Sequence, residues 1–98
     1  MNPYLAIAAT LAAGLYGVEK KLTLDQAPIK GNAYDDKSCE AFPKNLETAA
    51  NKLKKSELAC ELLGSDFVEH YANSRLWEWD QWRSQVTDWE IKRYFEIT

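Results

Sequence analysis

One histidine, two cysteines and four scattered glycines are the residues from which a catalytic or ligand-binding site in this chain would have to start. A metal site on a helix needs donors three or four residues apart. His70 has Asn73 and Ser74 at those positions, both poor ligands, and the adjacent Glu69 points elsewhere. The plainer reading is a structural or surface histidine. Ser38-Cys39-Glu40, with a single distant histidine, is too thin for a nucleophilic site, which needs a base held against the nucleophile. Asp35-Asp36 offers a weak cation site at best and reads as a solvated loop. Gly14 and Gly17 fall inside an apolar helical run and Gly31 and Gly64 stand alone, so no phosphate-cradling loop is formed. Cys39 and Cys60 are far apart with no C-x-x-C, the pattern of reduced intracellular thiols. Chemistry read residue by residue therefore gives no catalytic, cofactor or metal residues.

The aromatic run LWEWDQW invites a base-stacking or sugar-binding reading. Helical spacing sets Trp79 and Trp82 on one face and Trp77 on another. Tyr71, Arg75 and Trp79 are four apart, so the guanidinium is expected to stack between rings, with Glu78 in pairing distance of Arg75. These are packing devices before they are binding platforms. A formal charge of −3 leaves no bulk electrostatic attraction for nucleic acid.

The elements that hold these residues are helical. The opening NPYLAIAATLAAGLYGVEKKL has Asn2 as N-cap and Pro3 at the first helical position. Tyr4, Ile7, Leu11, Leu15, Val18 and Leu22 form one apolar stripe, and Ala6, Thr10, Ala13 and Gly17 form a second, small-residue side. Two glycines within a helix suggest close approach of another backbone. Lys20 and Lys21 meet the negative end of the helix dipole. The run has no basic residue ahead of its apolar part, unlike a secretory signal, and is too short for a membrane span. A helix apolar on more than one side is expected to be buried in something large.

Residues 23–44 lose helical period and read as a long irregular connection. Asn45 and Ser56 cap two short helices, and Gly64 fits the end of the second. The longest helix follows, with a stripe of Val68, Tyr71, Ala72, Arg75, Trp79, Trp82 and Val86. Thr87 and Glu90 have capping-box spacing ahead of a last short helix. The expected fold is all-α, with four to five helices at about 3–22, 46–54, 57–63, 66–85 and 88–96 and no strands. A chain of 98 residues makes one unit at most, and surface scaling predicts roughly 65% burial of its surface.

Taken in order, NPYLAIAATLAAGLYGVEKKL, GNAY, FPKNLETAANKLKKSELACELLG, DFVEHYANSRLWEWDQW and VTDWEIKRYFEI resemble the carboxyl-terminal stretch of glutamine synthetase-type ligases across essentially the whole chain. The opening helix and TDWE look closer to the glutamate–amine ligase branch, the gamma-glutamylamine synthetase-like one, than to the ammonia-assimilating enzymes. In the family ATP phosphorylates the side-chain carboxylate of glutamate, and ammonia or an amine displaces the phosphate. Divalent magnesium or manganese is held by glutamates and a histidine, and arginines neutralise the phosphates. Those residues precede the N-P-Y-L motif, so the resemblance carries no catalytic, nucleotide or metal residue onto this chain.

The resemblance implies a cytoplasmic carboxyl-terminal fragment, an expressed piece or a truncated reading frame, without a cofactor of its own and inactive alone. Its expected partners are the missing amino-terminal part of the ligase or further copies of itself, with no nucleic acid and no membrane. A family tail that reaches into a neighbouring subunit adds the aromatic terminal segment to the contact surface. The expected self-association residues are Tyr4, Ile7, Leu11, Leu15, Val18, Trp89, Tyr94 and Phe95. The alternative reading is a stand-alone helical module that binds a partner or a full-length ligase, and the remotest is a small enzyme with an unrecognised site.

Overall fold

In the computed structural model, which describes residues 2–32, 34–35 and 40–96, all the described helices but one begin where a local side chain satisfies free backbone donors. Asn2 Oδ1 accepts from the backbone N–H of Tyr4 at 3.0 Å and of Leu5 at 3.3 Å, opening α1 (Pro3–Glu19). Asn45 accepts from Thr48 N–H at 2.8 Å ahead of α2 (Leu46–Lys54). Ser56 accepts from Ala59 N–H at 3.1 Å ahead of α3 (Glu57–Leu63). Gly64, at φ +88°, ends α3 and starts α4 (Ser65–Arg83) without a side-chain cap. Thr87 opens α5 (Asp88–Tyr94) with a full capping box. The described residues contain no strand, and none of their helices is long and apolar enough to cross a membrane.

Helices α2 and α3 keep the expected boundaries, and the other three differ at their ends. α1 stops at Glu19, not Leu22, because Lys21 takes a left-handed φ of 52°. Leu22 N–H then bonds Gly17 C=O at 2.9 Å and Lys21 N–H bonds Val18 C=O at 3.1 Å. That pair of bonds is the Schellman closure, with lysine where glycine is usual. α4 starts one residue earlier than expected and ends at Arg83, and α5 ends at Tyr94.

Packing centres on α4. α2 lies along it, α3 packs beside it, and α1 packs chiefly against α3. The fully buried residues are Ala50 of α2 and Val68 and Ala72 of α4. Lys54 Nζ donates to Asn73 Oδ1 at 2.8 Å across the α2–α4 seam, and Lys52 pairs with Glu40 at 2.6 Å to hold the end of the connection. The described part of that connection, from 23 to 44, is almost entirely exposed.

The expected 65% burial is not reached. The chain keeps 9149 Å² of accessible surface, whereas a compact 11.2 kDa monomer exposes about 5,700 Å². Only roughly 44% of the unfolded chain's surface is removed from water on that scaling. Its radius of gyration is 18.6 Å against about 13 Å for a compact chain of this size. The reason is arrangement: the chain spreads over 61 × 40 × 22 Å, and the described helices pack mainly on α4.

Candidate functional site

The residues singled out for chemistry stay apart. His70 is exposed on α4, and among the described residues no three His, Cys, Asp or Glu side chains come together as a metal site. Cys60 is a free, half-buried thiol on α3, while Asp36, Ser38 and Cys39 lie outside the described residues. Asp35 bonds Asn32 instead of presenting a free carboxylate: Asn32 Nδ2 donates to Asp35 Oδ2 at 2.9 Å, and Asn32 Oδ1 accepts from Tyr34 N–H at 3.1 Å.

The aromatic face of α4 is partly as expected. Trp79 and Trp82 stack at 4.9 Å, with Trp77 elsewhere. The Arg75 guanidinium lies 5.5 Å from the Tyr71 ring centroid. It does not complete a sandwich with Trp79 or pair with Glu78; its Nε faces Ser74 Oγ at 3.4 Å. Trp79 is half-buried, and its Nε1 is shielded with no acceptor. Trp82 is 59% exposed and Val86, beyond the helix, is exposed too. The stripe is buried only where α2 covers it, around Val68 and Ala72.

What the structure does assemble is apolar surface. No residue of α1 is buried within this chain. The side turned inward is a third one, with Leu5, Ala12 and Tyr16 half-buried. The large stripe faces solvent, from 60% exposed at Ile7 to 82% at Tyr4. A Cβ built at Gly14 or Gly17 meets nothing within 4 Å, so the close backbone approach expected there is absent in this chain. The inward side is itself loosely seated. A groove of about 310 Å³ runs between Leu5, Ala6 and Ala9 on one wall and Leu53, Leu63 and Phe67 on the other. A second of about 230 Å³ continues past Ala12 to Leu58 and Leu62.

Each predicted contact residue of α1 (Tyr4, Ile7, Leu11, Leu15 and Val18) is therefore exposed on one ridge. Trp89, Tyr94 and Phe95 are exposed at the other end of the chain, with Trp89 and Tyr94 edge-to-face at 6.1 Å. Ile97, the end of that segment, is outside the described residues. Sequence reasoning missed the exposed Leu24, Tyr34 and Phe42 of the connection, all at least 90% exposed. An apolar residue in a stretch without period carries no signal of which way it faces.

The Glu90 carboxylate accepts from the backbone N–H of Thr87 at 2.7 Å and from its hydroxyl at 2.8 Å. Those bonds favour the charged form and hold its pKa below the ordinary glutamate value. This is a helix-capping device, not an acid–base group.

The family model for the glutamine synthetase catalytic domain matches residues 1–94. The chain is 48% identical over 100 residues to type-1 glutamine synthetase 2 of Dictyostelium discoideum, covering 99% of this chain and 19% of that protein. It is 47% identical over 98 residues to a glutamate–isopropylamine ligase of a Pseudomonas species, covering 98% and 21%. It is 43% identical over 96 residues to a gamma-glutamylethanolamide synthetase of Streptomyces coelicolor, covering 98% and 20%. The chain thus spans about a fifth of the length of the relatives it matches. No solved structure matches it.

Proposed function

The chain belongs to the glutamine synthetase catalytic-domain family, as its carboxyl-terminal helical segment, and we propose that it is the helical brace of an ATP-dependent glutamate–ammonia or glutamate–amine ligase. The brace contributes packing and subunit contacts, and the reaction is carried by parts of the ligase outside this segment. The observation that carries the reading is the surface: 9149 Å² exposed around a core of Ala50, Val68 and Ala72, with the ridge of α1 in solvent. A helix with an apolar ridge of this length is stable in water only as one wall of a larger core. The proposed compartment is the cytoplasm, where ATP and magnesium are supplied together.

ATP and a divalent metal are what the family's chemistry requires of the whole ligase, and this reading assigns neither to the described residues. They hold no three-ligand cluster, and no step of phosphoryl transfer is derived from them. On this reading the isolated chain neither hydrolyses ATP nor binds Mg-ATP. Calorimetry with ATP, magnesium and glutamate tests this, and a saturable heat at micromolar concentration would overturn it.

A chimera tests the brace itself. Replacing the matching fifth of the Dictyostelium relative with this chain, at 48% identity, should retain a substantial part of that protein's activity. Deleting the segment should abolish it. Full activity after deletion would refute the structural role.

A further inference from the structure

We draw no further inference here: the strongest candidate, the outward apolar ridge of α1 from Tyr4 to Val18 with the groove between the helix's inward side and Leu53, Leu63 and Phe67, is an unpartnered apolar surface, and nothing in the structure shows what covers it.

Discussion

Helices α1 and α4 are nearly the same length, and both are closed by recognisable local devices, yet only α4 has a core. α4 carries Val68 and Ala72 wholly out of water against α2, whereas α1 buries nothing. The difference does not follow hydrophobicity. α1 is much the more apolar helix, and α4 carries Asp66, Glu69, Glu78, Asp80 and two arginines. What decides is whether a partner of matching shape lies within the same chain. Ala50 of α2 and Ala72 of α4 are both buried, small residues of the kind that lets helix backbones approach, and Lys54 clamps the seam to Asn73. α1 meets chiefly the short α3, across incompletely filled grooves. An apolar helix without a layer to lie on stays wet, and this contrast is the physical case for reading the chain as one wall of a larger domain.

The largest expected effect tests where stability resides. Ala72→Lys would place an ammonium in a position with no accessible surface, a change in the class that costs more than about 4 kcal/mol. That is most of the stability available to so small a core. The variant should show no cooperative thermal transition by circular dichroism. Leu11→Lys, the same polarity change on α1, should leave the thermal midpoint of the chain within a few degrees. Similar losses at both sites would mean that α1 belongs to the core after all.

This contrast also marks what the sequence could tell. Caps are local chemistry, so Asn45, Ser56 and the Thr87–Glu90 pair located three helix starts from residue type alone. The end of α1 was misplaced by three residues because a lysine, and not a glycine, adopts the left-handed closing position. Periodicity correctly found the ridge of Tyr4, Ile7, Leu11, Leu15 and Val18. It could not say what would cover the ridge, because cover comes from elements far away in sequence or outside it. The same limit applies on α4, where one continuous stripe is buried at Ala72 and exposed at Trp82 according to where α2 stops. The candidate contact surface was legible, and its occupant was not.

The two tryptophans of α4 give the next effect. Trp79 is half-buried and stacked on Trp82, whereas Trp77 is 60% exposed on another side. Trp79→Ala should cost about 2–3 kcal/mol, under the 3–5 kcal/mol of a fully buried aromatic, and Trp77→Ala about 1 kcal/mol or less. Urea unfolding at constant slope measures both. Equal losses would show that the covered side of α4 extends further round the helix than Ala72 indicates.

Gly17 sharpens the comparison in the opposite direction. A methyl group there meets nothing within 4 Å in the chain alone, so Gly17→Ala should stabilise α1 by about 0.5–1 kcal/mol through helix propensity. If the remainder of a ligase packs its backbone against this side, the same change in the chimera should lower activity. A gain in the isolated chain together with a loss in the chimera would be direct evidence of a close neighbour that the chain itself lacks.

The smallest effect lies in α5, which shares with α1 an exposed apolar surface but has its own pH-sensitive fastening. Glu90 accepts two hydrogen bonds from Thr87 in its charged form, and its pKa is lowered accordingly. A carboxylate with a depressed folded-state pKa contributes stability above its unfolded pKa, and that contribution is lost as pH falls through the folded value. α5 should therefore fray on acidification below the ordinary glutamate range, while α2 and α4 stay protected. Amide exchange at Ile91 and Phe95, whose N–H groups bond Thr87 and Ile91 carbonyls, reads the fraying directly. Glu90→Gln should flatten the pH dependence, and Thr87→Ala should raise exchange at all pH values by removing a cap worth about 1 kcal/mol. Because α5 has no extensive packing with the other helices, neither change should move the global melting transition. A shift of that transition with either variant would mean that the terminal helix is coupled to the α2–α4 core, and that the chain has one cooperative unit where the packing describes a core with two loosely attached ends.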